Sequence, residues 1–364
     1  PDSAFRKENV VILILESFSK EYIGSLNGVL DNGSYKGYTP FLDSLISNSL
    51  TFEITLANGK KSIDAMPSIF ASLPSLETPY TISHYANNTI NGLPHLLKEK
   101  GYYSAFFHGA PNGSMGFDSF SRMVGFDDYF GLNEYPVKSD FDGMWGVWDE
   151  PFLQFFAEKI GTFREPFLAS VFTISSHHPF SVPEQYEGKF PKGPAPILEV
   201  VGYTDHSLRK FFRYASQQPW FDNTIFVITA DHTNESVRKE YQNNYGSFSI
   251  PIIFYKPGSG LKGIRERIAQ QIDIMPSLLT YLNYEGEYIA FGNDLFDDSS
   301  ESFAFNTAGS TYQLFMKDHM LEMIDIRSAG MYNFKNDPLL ENNLVGRLPD
   351  LQEELETKLK AIIQ

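Results

Sequence analysis

No cysteine occurs anywhere in the 364 residues, which removes disulfides, thiolate metal sites and cysteine nucleophiles from consideration. Positive charge is scarce: 29 Lys and Arg stand against 45 Asp and Glu, a formal net charge of −16. Nucleic-acid binding draws on clustered Lys and Arg to neutralise phosphates, so no nucleic-acid partner is expected. An anionic substrate would need something other than net charge to attract it, and a bound cation answers that need. Long apolar runs are missing too. No window approaches the roughly 18 to 20 consecutive apolar residues of a membrane helix, and no basic start leads into an apolar stretch as in a signal peptide. The chain as it stands reads as soluble. It opens at Pro1 and enters a strand-like run within ten residues, as a piece cut from something longer would.

What is present is a large apolar fraction, 42% hydrophobic with 15% aromatic residues, enough for a substantial core and against disorder. Residues 9–15 (NVVILIL) form a continuous β-branched run without alternation, the pattern of a strand buried on both faces of a parallel sheet. Residues 167–173 (FLASVFT), 224–229 (TIFVIT) and 250–255 (IPIIFY) read the same way. Helical patterns lie between them at 39–49, 93–100, 201–215 and 272–282. Strands alternating with helices predict an α/β fold with a largely parallel central sheet flanked by helices. After about residue 292 the elements shorten, and 349–364 reads as an amphipathic helix with Leu351, Leu355, Leu359 and Ile362 on one stripe. The expected organisation is a catalytic domain over 1–291 and a smaller C-terminal α+β subdomain over 292–364, packed on it.

Ligands of such sheets sit beyond the carboxyl ends of the strands. Three of the four buried runs place metal-competent residues there: Glu16, then His177, then Asp231 with His232. Singly, each reads equally as a capping or solvated loop residue; their repetition across strands makes them a candidate site. Asp231 and His232 offer an oxygen and a nitrogen ligand, and Glu16 either caps the next helix or binds a cation. In ANGKKSIDAMP (57–67) a Gly-containing turn feeds a helix opening near Ser62. Ser62 is there either an N-cap or a hydroxyl that attacks phosphorus once a metal lowers the cost of deprotonating it. His177 and His178 in SSHHPF, and His108 in FFHGAPNGSMGFD, are candidates for phosphate contact or leaving-group protonation. His84, His95, His206 and His319 cluster with nothing.

Together the strings VVILILESF, GKKSIDAM, GYYSAFFHGAPNGSMGFD, VGFDDYFG, WGVWDEPF, TISSHHPF, TADHT, IDIMPSLLTYL and NFKNDPLLENNL resemble the lipoteichoic acid synthase and phosphoglycerol transferase group. That group is the sulfatase-like branch of the alkaline phosphatase superfamily. The resemblance implies an alkaline-phosphatase/sulfatase-like fold with metal ligands at Glu16, Asp231 and His232. It sets the family's nucleophilic threonine on Ser62, which also ligates the metal, and the substrate-contacting histidine of the strand-end motif on His177, with His178 beside it. It further implies one divalent cation, Mn²⁺ first with Mg²⁺ or Zn²⁺ as alternatives, and a lipid-linked phosphate donor with a glycan or glycolipid acceptor. The full-length protein would be anchored in the cell membrane by an N-terminal segment, with this domain on the extracytoplasmic side. The expected activity is transfer of a phosphoglycerol-type head group through a phospho-serine intermediate. A phosphoethanolamine transferase, a phosphodiester hydrolase and a non-catalytic surface-polymer-binding domain are the alternatives.

Two departures bear on specificity. A tryptophan and an arginine that help hold glycerol phosphate in lipoteichoic acid synthases are replaced by Met115 and Phe117. Without that guanidinium a bidentate phosphate donor is gone, and His108, Asn112 and Ser114 are expected to take over part of the contact. Sulfate-ester hydrolases of the formylglycine type need C/S-x-P-x-R, whereas Ser62 is followed by Ile63, Asp64, Ala65 and Met66.

Overall fold

In the computed structural model, residues 4–76 and 78–364 are described. The elements run β1 (Asn9–Leu15), α1 (Pro40–Ile46), β2 (Leu50–Leu56), α2 (Ser62–Ala71), α3 (Leu93–Lys98), β3 (Tyr103–His108), α4 (Phe117–Val124), β4 (Asp128–Phe130), α5 (Asp149–Ile160), β5 (Phe167–Phe172), α6 (Ile197–Ala215), β6 (Thr224–Ala230), β7 (Ile252–Tyr255), β8 (Gly263–Gln270) and α7 (Ile274–Tyr281). Then come β9 (Phe303–Ala308), β10 (Thr311–Met316), β11 (His319–Ile324), β12 (Arg327–Asn333) and α8 (Pro349–Ile363).

The first eight strands form one sheet in the order β4-β3-β5-β1-β6-β7-β2-β8. β1 is central, parallel to β5 on one side and β6 on the other, and every residue of it is buried. That burial is why NVVILIL shows no alternation: both faces are covered, so neither needs polar side chains. The expected largely parallel sheet is present, with one exception. β7, the fourth buried run, is antiparallel to both β6 and β2, so its carboxyl end faces the opposite edge from those of β1, β5 and β6. This explains why no metal-competent residue follows Tyr255.

Remote side chains hold the helices in register. The Asp205 carboxylate on α6 accepts from the backbone N–H groups of Phe41 and Leu42, both at 2.9 Å, satisfying two donors that the first turn of α1 leaves without an internal partner. α2 packs against α4 and α7, and Phe70, Phe106 and Phe126 form an edge-to-face aromatic cluster. Among the described residues, no helix is long and apolar enough to cross a membrane.

β9 to β12 form a separate antiparallel sheet in sequence order. Its strands alternate as a two-sided layer must. Phe303, Phe305, Leu314, Leu321 and Met323 face α8, where Leu355 and Leu359 are fully buried and Leu351 and Ile362 pack at the margin. Ala304, Phe315 and Met320 face the main core. Between β8 and β9, residues 292–302 run back along the large sheet, with Leu295 buried in its core and the Arg267 guanidinium donating to the carbonyls of Asp294 and Asp297.

Candidate active site

β1, β5 and β6 end side by side, and their loops stay tied for one residue more. Asp231 N–H donates to Leu15 O at 3.2 Å and Thr173 N–H to Ile14 O at 3.0 Å, while Glu16 N–H donates to Thr173 Oγ1 at 3.0 Å. Glu16 and Asp231 therefore emerge together, 2% and 0% exposed. The chain turns sharply after Glu16: Ser17 has φ +55°, a left-handed conformation that a non-glycine residue adopts at a cost. The turn sends Ser17 N–H to Asp231 Oδ1 at 2.7 Å and Ser17 Oγ–H to Glu16 Oε1 at 2.7 Å. Asn234 Nδ2 donates to Ser17 Oγ, locking the turn.

Asp231 Oδ1 also accepts from His232 N–H at 2.7 Å, so one carboxylate oxygen is saturated. The other, Oδ2, is buried without a hydrogen-bond partner although it lies 3.1 Å from His232 Nε2. The imidazole is oriented by Nδ1, 2.8 Å from Thr233 O. A carbonyl only accepts, so Nδ1 carries the proton and Nε2 presents its lone pair. Asp231 Oδ2 and His232 Nε2 are thus two acceptors aimed at common space. Donor atoms of Glu16, Asp231 and His232 all lie within 4.8 Å of one another. Burial, and then the adjacent Asp231 carboxylate, push the Glu16 carboxyl well above the usual range. Such a cluster of bare acceptors is stabilised by a positive charge at its centre. Two carboxylates and an imidazole suit a divalent cation.

Ser62 completes the cluster. Its Oγ–H donates to Glu16 Oε2 at 3.3 Å, and Oγ lies 3.4 Å from His232 Nε2. The N-cap alternative is set aside by one residue: Lys61 occupies the cap position and Ser62 is the first residue of α2. The capping contact comes instead from Asp64, whose carboxylate accepts from Lys61 N–H at 3.2 Å and from Ser75 Oγ–H at 2.7 Å. The Ser62 hydroxyl is left to the cluster, at the positive end of a helix dipole.

The remaining candidates separate. His108, the last residue of β3, is 1% exposed. Nδ1 donates to Phe172 O at 3.2 Å, Nε2 has no partner, and burial holds its pKa down at about 4. Phe117 packs on it, ring centroids 5.1 Å apart, so an apolar wall stands where the resembling family has a guanidinium. Met115 is 46% exposed on a turn. His177 is half-buried, its ring 4.1 Å from that of Trp145, with Nδ1 3.2 Å from His178 O; burial lowers its pKa. His178 is exposed, and its carbonyl also accepts from Trp145 Nε1 at 2.6 Å. Asn112 and Ser114 are engaged locally: the Asn112 carboxamide donates to Glu134 at 3.0 and 3.2 Å, and Ser114 Oγ–H to Pro111 O at 2.6 Å.

Several positioning residues gave no signal in the sequence. Gln271 Nε2 donates to both Ala230 O and Asp231 O at 2.8 Å, while its Oε1 accepts from Asn58 N–H at 2.9 Å. One carboxamide thereby joins the Asp231 loop to the loop that leads into Ser62. Asp149 Oδ1 accepts from Ile174 N–H and Ser175 N–H at 2.8 and 3.1 Å, and Oδ2 from Thr204 Oγ1–H at 3.1 Å, anchoring the loop that carries His177. Their partners are 25 to 213 residues away, beyond any local pattern.

Comparison with known proteins gives a consistent picture. The family model described as Sulfatase matches residues 8–284. Lipoteichoic acid synthase 1 of Bacillus subtilis is 27% identical over 82% of this chain and 50% of its own length. Phosphoglycerol transferase I of Salmonella choleraesuis is 24% identical over 82% of this chain and 40% of its own length. The chain thus spans about half the length of the curated relatives it matches, or less. Among solved structures, the lipoteichoic acid synthase LtaP from Listeria monocytogenes superposes with a TM-score of 0.79 at 22% identity, covering 100% of this chain and 94% of that one. A protein in the alkaline phosphatase superfamily from Vibrio parahaemolyticus gives 0.80 at 24% identity, covering 91% and 81%. At these identities the structural likeness establishes the fold.

Proposed function

The chain belongs to the sulfatase family, and from that premise we propose that it is a metal-dependent phosphotransferase which moves a phosphoglycerol-type head group from a lipid donor through a phospho-serine intermediate on Ser62. The observation that carries this reading is the position of Ser62 Oγ, 3.3 Å from Glu16 Oε2 and 3.4 Å from His232 Nε2. The residues after Ser62 do not form the formylglycine pattern, so the encoded hydroxyl is the nucleophile. The names of the lipoteichoic acid synthase and phosphoglycerol transferase relatives support the head group.

Glu16, Ser62, Asp231 and His232 would hold the cation, Mn²⁺ by preference, with Mg²⁺ and Zn²⁺ compatible with the same donors. When bound, the ion supplies the charge that eases deprotonation of Ser62 and offsets charge developing on the phosphoryl oxygens. Ser62 Oγ–H already donates to Glu16 Oε2, so the proton displaced on attack has an acceptor in place. The Ser62 Oγ–P bond forms as the P–O bond to the lipid alcohol breaks. That alcohol takes its proton from water, or from His177 Nε2 when the imidazole is doubly protonated; with Nδ1 turned to His178 O, Nε2 is the nitrogen left to face substrate. His178 contacts the substrate, with Asn112 and Ser114 at its margin, while His108 lies beneath Phe117, closed off from solvent. An acceptor hydroxyl on a glycan or glycolipid then displaces Ser62 from phosphorus, regenerating the serine hydroxyl. The full-length protein would hold this domain outside the membrane by a preceding anchor.

One observation favours a second reading. Phe117 over His108 leaves an apolar wall beside the phosphate contact, which fits a different head group, as in a phosphoethanolamine transferase or a phosphodiester hydrolase. Both readings use Ser62. Ser62→Ala should lower Mn²⁺-dependent turnover of a phosphodiester by at least about a thousandfold without loss of fold. Retention of near-wild-type rate would remove Ser62 as the nucleophile. Mass spectrometry of the lipid products from glycerophosphate and ethanolamine-phosphate donors, assayed side by side, distinguishes the head groups.

A further inference from the structure

Two donors converge on one carbonyl beside the catalytic cluster. His178 O accepts from Trp145 Nε1–H at 2.6 Å and lies 3.2 Å from His177 Nδ1. A carbonyl only accepts, so His177 Nδ1 carries its proton and Nε2 of the neutral ring keeps a lone pair. The indole also covers the imidazole, with ring centroids 4.1 Å apart. His177 is close enough to the cluster to feel the Asp231 carboxylate and the His232 ring. Trp145 thus grips this histidine twice, by its face and by holding the carbonyl that Nδ1–H needs. His178 itself is exposed, so without the indole N–H that carbonyl would have water as a competing partner.

Trp145 is itself fixed to the scaffold. It sits in a hairpin in which Phe141 pairs with Val147 and Asp142 N–H donates to Gly146 O at 2.8 Å. Asp142 Oδ1 accepts from the N–H groups of Met144, Trp145 and Gly146 at 2.7, 2.8 and 3.1 Å. The hairpin is tied to the residue after His108: Val147 N–H donates to Gly109 O at 3.0 Å. A Cβ on Gly146 would come within 2.5 Å of that same oxygen, so only glycine allows the approach. Two residues beyond Val147, Asp149 binds the backbone of Ile174 and Ser175. The segment therefore joins the end of β3 to the end of β5, and Trp145 is the side chain it extends to His177.

We propose that Trp145 is a positioning residue for His177: its indole sets which imidazole nitrogen carries the proton and leaves the other, Nε2, facing the substrate as a hydrogen-bond acceptor. The partner of such an acceptor is a hydroxyl, which the incoming acceptor alcohol supplies and an ionised phosphate oxygen does not. The inference rests on the phosphotransfer reading for the identity of that alcohol, and on the two rings alone for the state of His177.

The test is nitrogen NMR of histidine-labelled protein in Mg²⁺, on the alkaline side of the histidine range so that the rings are neutral, with the His177 signals identified by their loss in His177→Gln. Wild type should show one protonated and one bare nitrogen for His177. Trp145→Phe keeps a ring and removes the N–H; it should move both nitrogens toward the averaged values of a solvent-exposed imidazole. The same variant should lower kcat for a phosphodiester about tenfold, part of what a well-placed acid–base group contributes, with KM and Mn²⁺ affinity within about twofold of wild type. Trp148→Phe, in the same segment but with its ring against Tyr203, should change neither readout. Unchanged His177 nitrogens in Trp145→Phe overturn the proposal whatever the turnover, as do altered nitrogens at an unchanged kcat. The nitrogen signals need no turnover, so a Ser62→Ala variant as active as wild type would remove the phosphotransfer reading and leave the state of His177 to be decided on its own.

Discussion

Replacing Glu16 by Gln should change stability in opposite directions with and without metal. Its carboxylate and that of Asp231 are buried, with ligand atoms no more than 4.8 Å apart. Like charges at that distance, in an effective dielectric of about 20, repel by about 3 kcal/mol. The sign follows from the direction of the shift. Burial and Asp231 raise the Glu16 carboxyl above its ordinary value, so the metal-free fold loses stability from this group as pH rises through that interval. The charged pair is therefore examined on the alkaline side of that interval. The carboxamide of Gln keeps one of the two hydrogen bonds that Glu16 accepts from Ser17 Oγ and Ser62 Oγ, at a loss of about 1 kcal/mol. In EDTA the variant should therefore be more stable than wild type by about 1 to 2 kcal/mol. With Mn²⁺ at about a thousand times its dissociation constant, wild type gains about 4 kcal/mol and the variant loses most of that gain, so the order inverts. Urea unfolding with linear extrapolation in the two conditions reads both numbers. A variant less stable than wild type by the same margin in both would refute the electrostatic reasoning and the cation site together.

The buried His108 makes acid sensitivity specific. Because burial lowers its pKa to about 4, its contribution is fully present above pH 6.5 and is lost as pH falls toward 4. At pH 5 wild type should have lost about 2 kcal/mol more than His108→Gln, relative to pH 7.5, by urea unfolding; parallel profiles would mean that the imidazole is solvated. Gln271→Leu strands Ala230 O, Asp231 O and Asn58 N–H and should destabilise by about 3 kcal/mol. It should also weaken Mn²⁺ binding more than tenfold; unchanged metal affinity in a folded variant would show that the loops hold their spacing without it.

The strands that build the site were legible because they are buried on both faces. β1, β5 and β6 need apolar residues at every position, and such runs announce themselves and their polar ends. β2 and β3 did not stand out: LTFEITL carries Glu53 and two threonines, and YSAFFH opens on Tyr103 and Ser104. β8, GIRERIAQ, lies at the edge of the sheet with its first half outside the core, so its charges mask a strand. α5 was hidden for another reason. DEPFLQFFAEKI buries Phe152, Leu153, Phe155, Phe156 and Ala157 against β5 and α6, too wide an apolar face for a clean stripe.

Residue types at strand ends therefore pointed to the α/β fold and brought Glu16, Asp231 and His232 forward as candidates alongside His177, while the ligand set and the place of Ser62 in it came from the family resemblance. What they do was decided by tertiary structure. Whether Ser62 capped its helix or faced the carboxylates turned on Asp64 taking the capping role. His108, a candidate for phosphate contact or leaving-group protonation, is instead enclosed by Phe117 and Phe172. The Lys60 ammonium lies over the ring of Phe248, 188 residues away. Local sequence specifies which groups exist, because side-chain chemistry and backbone propensity are local. Protonation, orientation and pairing depend on solvent exclusion and on partners that only the folded chain brings together.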